Sequence, residues 1–388
     1  MSALSRRHDV IGVSLISPDM DRAASEKAMR EYCKEVVLVS SPPWQGPEKR
    51  FMQLRSLVSR RSYESRAFNL PELRRSLDEV MRRQPVDVAV VELPFLAGQS
   101  LRLAPPGSVP PLRVLDEHNI EFDLARQQAS AEQGLARRVH NAANWPKVRR
   151  EELGAMRTFD GVTFCSEVDQ ARAKELVPGL VSAVVPNAVD IDDFKPPYGD
   201  SQSDGRTVMF FGAINYFPNV EGLRYLVSEV WPILAKTHPE ARLKIVGQHP
   251  TPEVLAYAGP RIEVTGRVDD VRTHLSSAAV TIVPLRIGGG TRFKILEAMA
   301  MARPVVSTSL GAEGILAVPG KDILIADDPA GLAAALGRVL DEPALGAELG
   351  KRGRALVEER YSWAAAARTM EDFLHDLRGR SRSPPRQG

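Results

Sequence analysis

The stretch Gly288-Gly289-Gly290-Thr291-Arg292-Phe293-Lys294-Ile295-Leu296-Glu297 puts two cations where a helix disfavours them. Three glycines follow the apolar run Val280 to Leu285, which reads as a strand, and Thr291 is placed to cap a helix continuing through Ala298, Met299, Ala300 and Met301. The first turn of a helix carries unpaired N–H groups and a partial positive charge, so acidic residues stabilise it while Arg292 and Lys294 oppose it. A bound anion reverses that sign. Glycines allow close backbone approach, so strand, glycine loop and basic helix start together describe a phosphate cradle.

The run is neither of the common phosphate loops. The ATP-binding loop needs Gly, four residues, then Gly-Lys-Ser/Thr, and the dinucleotide fingerprint spaces its glycines differently. Glu297 lies three residues after Lys294 on one helical face. That spacing fits an ordinary surface ion pair, and equally a Lys294 on phosphate with Glu297 on a sugar hydroxyl.

Outward from this stretch, short Val- and Ile-rich runs alternate with helical segments, the pattern of parallel α/β architecture. Strands are predicted at 10–16, 36–39, 87–92, 113–116, 161–165 and 182–185, and again at 207–211, 243–246, 262–265, 280–284, 304–307 and 323–325. Between the two series, residues 196–206 have almost nothing to bury and read as a linker. The expected organisation is an N-terminal domain over 1–195 and a second domain over 207–363, two Rossmann-like units with a cleft between their strand ends. Thr251-Pro252-Glu253 and Ser362 before Trp363 read as helix caps. The last helix is expected to end near Arg378, with 379–388 disordered.

A chain of 388 residues exceeds the size at which one core keeps growing, so two domains are the default. Net charge is +2, which argues neither for nor against nucleic acid. Cys33 and Cys165 are too few and too isolated for a disulfide framework or a zinc site, which fits a reducing, cytoplasmic compartment and predicts no metal. Apolar stretches have strand length, short of the roughly 20 residues that span a bilayer. From Lys49 to Arg83 ten basic residues face four acidic ones, a composition suited to a solvated helix face or to peripheral contact with an anionic membrane.

Residues 207–375 resemble the donor-binding half of glycosyltransferase family 4, retaining enzymes of the GT-B fold, in an exopolysaccharide-type subgroup. The resemblance rests on Pro284 through Ala300 and on Arg303-Pro304-Val305-Val306-Ser307-Thr308. Further matching pieces are Val185-Pro186-Asn187-Ala188-Val189-Asp190, Phe211-Gly212 with Pro218-Asn219, Gly266-Arg267-Val268, and Tyr361-Ser362-Trp363 at the entry to a final helix, about 364–378, that returns to the first domain. A looser match covers Asp116-Glu117-His118-Asn119 and Cys165-Ser166-Glu167. The resemblance implies a nucleoside-diphosphate sugar as donor substrate, no cofactor, and a glycan or lipid-linked acceptor, with no nucleic acid as partner. It implies that Glu297 holds the ribose and that Gly289, Gly290, Thr291, Arg292 and Lys294 hold the diphosphate. Gly212 and Leu296 belong to the same implied donor set, the turn containing Val268 contacts the base, and His118 approaches the transferred sugar. Catalytic roles then fall to His118, Arg292 and Lys294.

Three departures from the family qualify this. Many members carry a second acid where this chain has Gly289, and an Arg and a Lys on the diphosphate where it has Ala213 and Pro218. Members also open with a strand and a glycine-rich loop ahead of the helix within which Met1 falls, so the first domain is expected to lack its opening strand. A nucleotide-sugar epimerase or hydrolase of the same fold, or an inactive nucleotide-sugar-binding protein, are the alternative readings.

Overall fold

A computed structural model describes residues 2–382 except 19, 42–46, 101–108, 132–133, 197–202 and 289–290. Gly289, Gly290, most of the expected linker and residues 383–388 therefore lie outside the described residues. The chain forms two compact units, residues 1–185 with 367–388, and residues 186–366.

The first unit begins with a short helix, Ser2–Ser5, ahead of β1 (Ile11–Ile16). Strand β1 pairs in parallel with β2 (Glu35–Ser40). A separate parallel sheet has the order β3 (Val88–Glu92), β4 (Leu112–Glu117), β5 (Gly161–Phe164), β6 (Ser182–Val184). The helices that matter below are α1 (Pro47–Leu57), α2 (Glu121–Ala131), α3 (Leu135–Thr158) and α4 (Glu167–Leu176). Successive residues of β4 point to opposite faces: Leu115 joins a core with Val162, Phe164 and Met156, and Val114 joins another with Met370, Phe373 and Leu377. The last three belong to the final helix, so that helix closes the first unit's sheet.

The second unit has one parallel sheet of six strands in the order β12-β11-β10-β7-β8-β9. Its strands are β7 (Thr207–Phe211), β8 (Arg242–Val246), β9 (Ile262–Gly266), β10 (Val280–Val283), β11 (Val305–Ser307) and β12 (Leu324–Ile325). Helix α5 (Phe217–Tyr225) follows β7, and α6 (Phe293–Ala300) follows β10. The near-continuous apolar strands are explained by burial on both sides. Val208 and Phe210 face one core with Leu243, Ile245 and Ile282, while Met209 and Phe211 face another with Val283, Leu296 and Met299.

The two units divide at Val185/Pro186 rather than near residue 195, for a reason visible in hydrogen bonds. Val189 N–H donates to the Tyr361 carbonyl at 2.9 Å, and Arg354 Nη1 donates to the Phe194 carbonyl at 2.6 Å, so this connection is pinned to the second unit. The final helix α7 (Trp363–Arg382) runs beyond the expected end near Arg378, extended by an Arg380–Asp376 pair one turn apart at 2.8 Å. The expected caps are present at Thr251, whose Oγ1 accepts from Val254 N–H, and at Ser362, whose Oγ accepts from Ala365 N–H.

Candidate functional site

Strand order fixes where a ligand would sit. The chain leaves β7 to build β8 and β9 on one side, then returns to place β10, β11 and β12 on the other. The loops after β7 and β10 therefore diverge, and a crevice opens at the carboxyl ends of these two neighbours. One wall is Gly212 to Asn219, the other Pro284 to Gly288 together with Thr291 to Lys294.

Lys294 joins the two walls. Its Nζ donates to Asn219 Oδ1 at 2.7 Å, and the Asn219 amide donates to the Ala213 carbonyl at 2.8 Å. The ammonium lies 4.2 Å from the centroid of the Phe210 ring, over its negative face. A methyl group on Gly212, whose φ is +142°, would sit 3.2 Å from that nitrogen, so the glycine lets the backbone pass beside the cation. The residue is 9% exposed and makes no ion pair among the described residues. Burial, reinforced by Arg292 and opposed by Glu297, pushes its pKa down to about 7.

Arg292 is 8% exposed, and its Nη2 donates to the Leu310 carbonyl at 3.3 Å. The same guanidinium lies beneath Gly288 at φ +130°, where an added Cβ would be 3.2 Å from Nη2. Thr291 does not cap the helix as expected. The first intrahelical carbonyl is that of Arg292, which accepts from Ile295 N–H at 3.0 Å, so Arg292 itself occupies the cap, with no side-chain cap bond. The buried Thr291 instead accepts through its carbonyl from Asn187 Nδ2 at 3.2 Å. This shift sharpens the electrostatic conflict, with Arg292 on the cap and Lys294 in the first turn.

Glu297, one turn along α6, is mostly buried and accepts no side-chain hydrogen bond among the described residues. Burial raises its pKa and Lys294 lowers it, the first effect being the larger. The ordinary surface ion pair is not what forms: Lys294 engages Asn219, and Glu297 is left available to a donor. Leu296 has a fully buried side chain in the core, so only its backbone could reach a ligand. Val268 follows β9, is partly buried, and packs against the same core. Arg286, the third cation of the stretch, is held by Glu221 through Nε at 3.1 Å and Nη2 at 2.5 Å, and stacks over Tyr225 at 4.1 Å. It is a brace between walls rather than a free cation.

In the first unit His118 follows the end of β4. Its Nε2 lies 3.5 Å from Asp116 Oδ2, and Asp116 Oδ1 accepts from Thr163 Oγ1 at 2.5 Å. The Asp116 carboxylate raises the His118 pKa, partly offset by burial, and the charges of Glu92 and Glu121 add to the rise. Beside it Glu117 is 1% exposed with neither oxygen partnered, and burial with the nearby Glu152 holds its pKa well above the usual carboxylate range.

Asn219 has a role that sequence spacing could not assign, because it stands 75 residues from Lys294 and no periodic rule links them. The usable signal was indirect: a buried ammonium requires an acceptor. Among the described residues no three His, Cys, Asp or Glu side chains are grouped to hold a metal ion, and no helix is long and apolar enough to cross a membrane.

The second unit is similar to a known family. A family model described as glycosyl transferases group 1 matches residues 205–342. An uncharacterised 44.6 kDa protein in the cps region of Klebsiella pneumoniae is 23% identical over 227 residues, 56% of each chain. The GDP-mannose-dependent alpha-(1-6)-phosphatidylinositol monomannoside mannosyltransferase of Mycolicibacterium smegmatis is 26% identical over 306 residues, 69% of this chain and 79% of that one. Three curated relatives are spanned over only 56 to 61% of their own length. Sucrose-phosphate synthase of Thermosynechococcus elongatus superposes with a TM-score of 0.73 over 98% of this chain and 92% of that one, at 18% identity, which shows a common fold.

Proposed function

We propose, for a chain that carries a group 1 glycosyltransferase domain at residues 205–342 on a GT-B fold, that it moves a sugar from a nucleoside-diphosphate sugar to a hydroxyl of a glycan or lipid-linked acceptor, with retention of anomeric configuration. The observation that carries this reading is the buried, incompletely neutralised Lys294 beside Arg292 at the start of α6, with Glu297 one turn on. A buried cation without an acidic partner costs several kcal/mol unless an anion arrives. The diphosphate of the donor supplies one, and Glu297 accepts the hydroxyls of its ribose. The cps-region relative and the lipid-modifying mannosyltransferase support a role in bacterial polysaccharide or glycolipid synthesis.

In this reading the bond between the sugar's anomeric carbon and the diphosphate oxygen breaks while negative charge builds on the leaving group. Lys294 and Arg292 face that charge already oriented, which lowers the barrier without reorganisation. They supply the positive field that a divalent metal would otherwise provide. The acceptor oxygen bonds to the anomeric carbon on the face being vacated, and its proton passes to the departing phosphate. His118, whose pKa Asp116 raises, is the first unit's proposed contribution to catalysis.

Incubating the protein with UDP- and GDP-sugars, with and without candidate acceptors, tests the assignment. Nucleotide release that requires acceptor supports transfer; release without acceptor indicates a hydrolase or epimerase, and binding without release an inactive binder. Glu297→Ala is expected to weaken donor binding by about 10-fold or more, the value of one to two charge-assisted hydrogen bonds, with a smaller effect on turnover at saturation. Calorimetric titration giving an unchanged donor Kd would remove Glu297 from the ribose site.

The same reading places the protein in the cytoplasm at the inner face of a membrane. Cys33 and Cys165 are buried and form no disulfide, as in a reducing compartment. On α1, Phe51 is 60% and Leu54 is 64% exposed, and Val58 just beyond the helix is 92% exposed, among Arg50, Arg55, Arg60 and Arg61. Apolar side chains one and two turns apart within a basic segment suit an anionic lipid surface. The protein is expected to co-sediment with phosphatidylglycerol vesicles but not with phosphatidylcholine, and Phe51→Glu with Leu54→Glu to lower that binding by about 10-fold. Equal partitioning of wild type and double variant would refute the membrane contact.

A further inference from the structure

The first unit contains a cavity of about 470 Å³ for which donor binding gives no use. Three helices line it with residues one turn apart: Phe122 and Arg126 from α2, Trp145 and Arg149 from α3, Arg172 and Leu176 from α4. The lining carries these three arginines against two acids, Asp123 and Glu175, and is net positive.

The polar groups are unequally satisfied. Arg172 Nη2 donates to Asp123 Oδ1 at 2.6 Å, and Arg126 approaches the same oxygen at 3.6 Å. Asp123 is 8% exposed, and its second oxygen, Oδ2, is buried without a hydrogen-bond partner. Arg149 lies 5.7 Å from the centroid of the Phe122 ring, which orients its guanidinium, yet it makes no hydrogen bond or ion pair among the described residues. Trp145 stands one turn before it on the same face of α3 and is only partly buried.

We propose that this cavity binds a sugar residue bearing a carboxylate or a phosphate. The acid group pairs with the Arg149 guanidinium, whose planar fork matches either anion. A ring hydroxyl donates to the exposed Glu175 carboxylate on the same lining. The C–H face of the sugar packs on Trp145, a large apolar surface with a polar edge. Each alternative ligand leaves something unmatched: a neutral sugar and an apolar molecule leave Arg149 without an anion, and a bare anion leaves Trp145 uncovered. As a binding site this stands independently; as a hold on an anionic acceptor it rests on the transfer reading above.

Equilibrium binding, with no donor present, keeps the two apart. The full chain is titrated by calorimetry with methyl glucuronide, glucose 6-phosphate, methyl glucoside and inorganic phosphate. One of the two anionic sugars is expected to bind at least tenfold more tightly than both the glucoside and the phosphate, and the better of the two identifies the acid group. Arg149→Ala should weaken it at least tenfold and Arg149→Lys by less, since lysine keeps the charge but not the fork; thermal unfolding verifies that both variants fold. Lys294→Met should leave this binding unchanged. The proposal is overturned if neither anionic sugar exceeds the glucoside and the phosphate, if Arg149→Ala binds as well as wild type, or if Lys294→Met abolishes the binding.

Discussion

Lys294→Met is expected to lower turnover by about 10²- to 10³-fold, the loss typical of removing one preorganised charge-stabilising donor, while changing the stability of the unliganded protein little. Methionine keeps the length and apolar contact of the lysine stem over Phe210 and removes the charge. The buried ammonium is held by one neutral acceptor, Asn219 Oδ1 at 2.7 Å, and its desolvation is already expressed in a pKa near 7. Losing it leaves that acceptor unpaired but also removes the cost of burying a charge, so the two effects on stability oppose each other. A variant with normal thermal unfolding and nearly wild-type turnover would remove Lys294 from the chemistry.

The same pKa sets a pH dependence of fixed sign. In the unliganded protein Lys294 loses its proton above about pH 7, and a bound diphosphate restores a pKa well above that. Binding above pH 7 therefore takes up a proton, and nucleotide affinity falls as pH rises, by up to about tenfold per unit. Calorimetry at pH 8 in two buffers of different ionisation enthalpy should read the uptake of close to one proton for wild type and none for Lys294→Met.

Gly247→Ala is the second large effect, and it acts through packing rather than charge. Gly247 follows β8, with its N–H donating to the Gly266 carbonyl at 3.1 Å, while Gly212 N–H donates to the Val246 carbonyl at 3.0 Å. A Cβ on Gly247 would overlap the Gly212 carbonyl oxygen and Ile214 Cγ1. Neither is the mobile end of a flexible side chain, so the exit of β7 must move, and Gly212 lies against Lys294. The cost should be about 3 kcal/mol, the upper range of overpacking, or a fall in Tm of roughly 6 to 12 °C. Donor affinity should fall with it. Gly98→Ala, where an added Cβ meets nothing within 4 Å, is the neutral control. Equal melting of both variants would show that the β7–β8 exit yields without strain.

The twelve strands among the described residues were legible because each is a short run rich in apolar residues. The helix start at 291–293 was legible in kind but displaced by one residue, since a threonine before a helix fits the cap rule whichever carbonyl begins the ladder. The end of α7 was missed because Gly379 reads as a stop, whereas the Arg380–Asp376 pair carries the helix past it.

By itself the sequence determined that two αβ units exist and that Arg292, Lys294 and Glu297 sit at one helix start, because periodicity, capping and charge act over a few residues. Only the tertiary structure decided what those residues meet. Asn219 reaches Lys294 and Glu221 takes Arg286 out of play, contacts that depend on which strands become neighbours in a sheet. Strand order is fixed by burying the whole apolar surface at once. No local rule in the chain encodes it, and the crevice between β7 and β10 is its direct product.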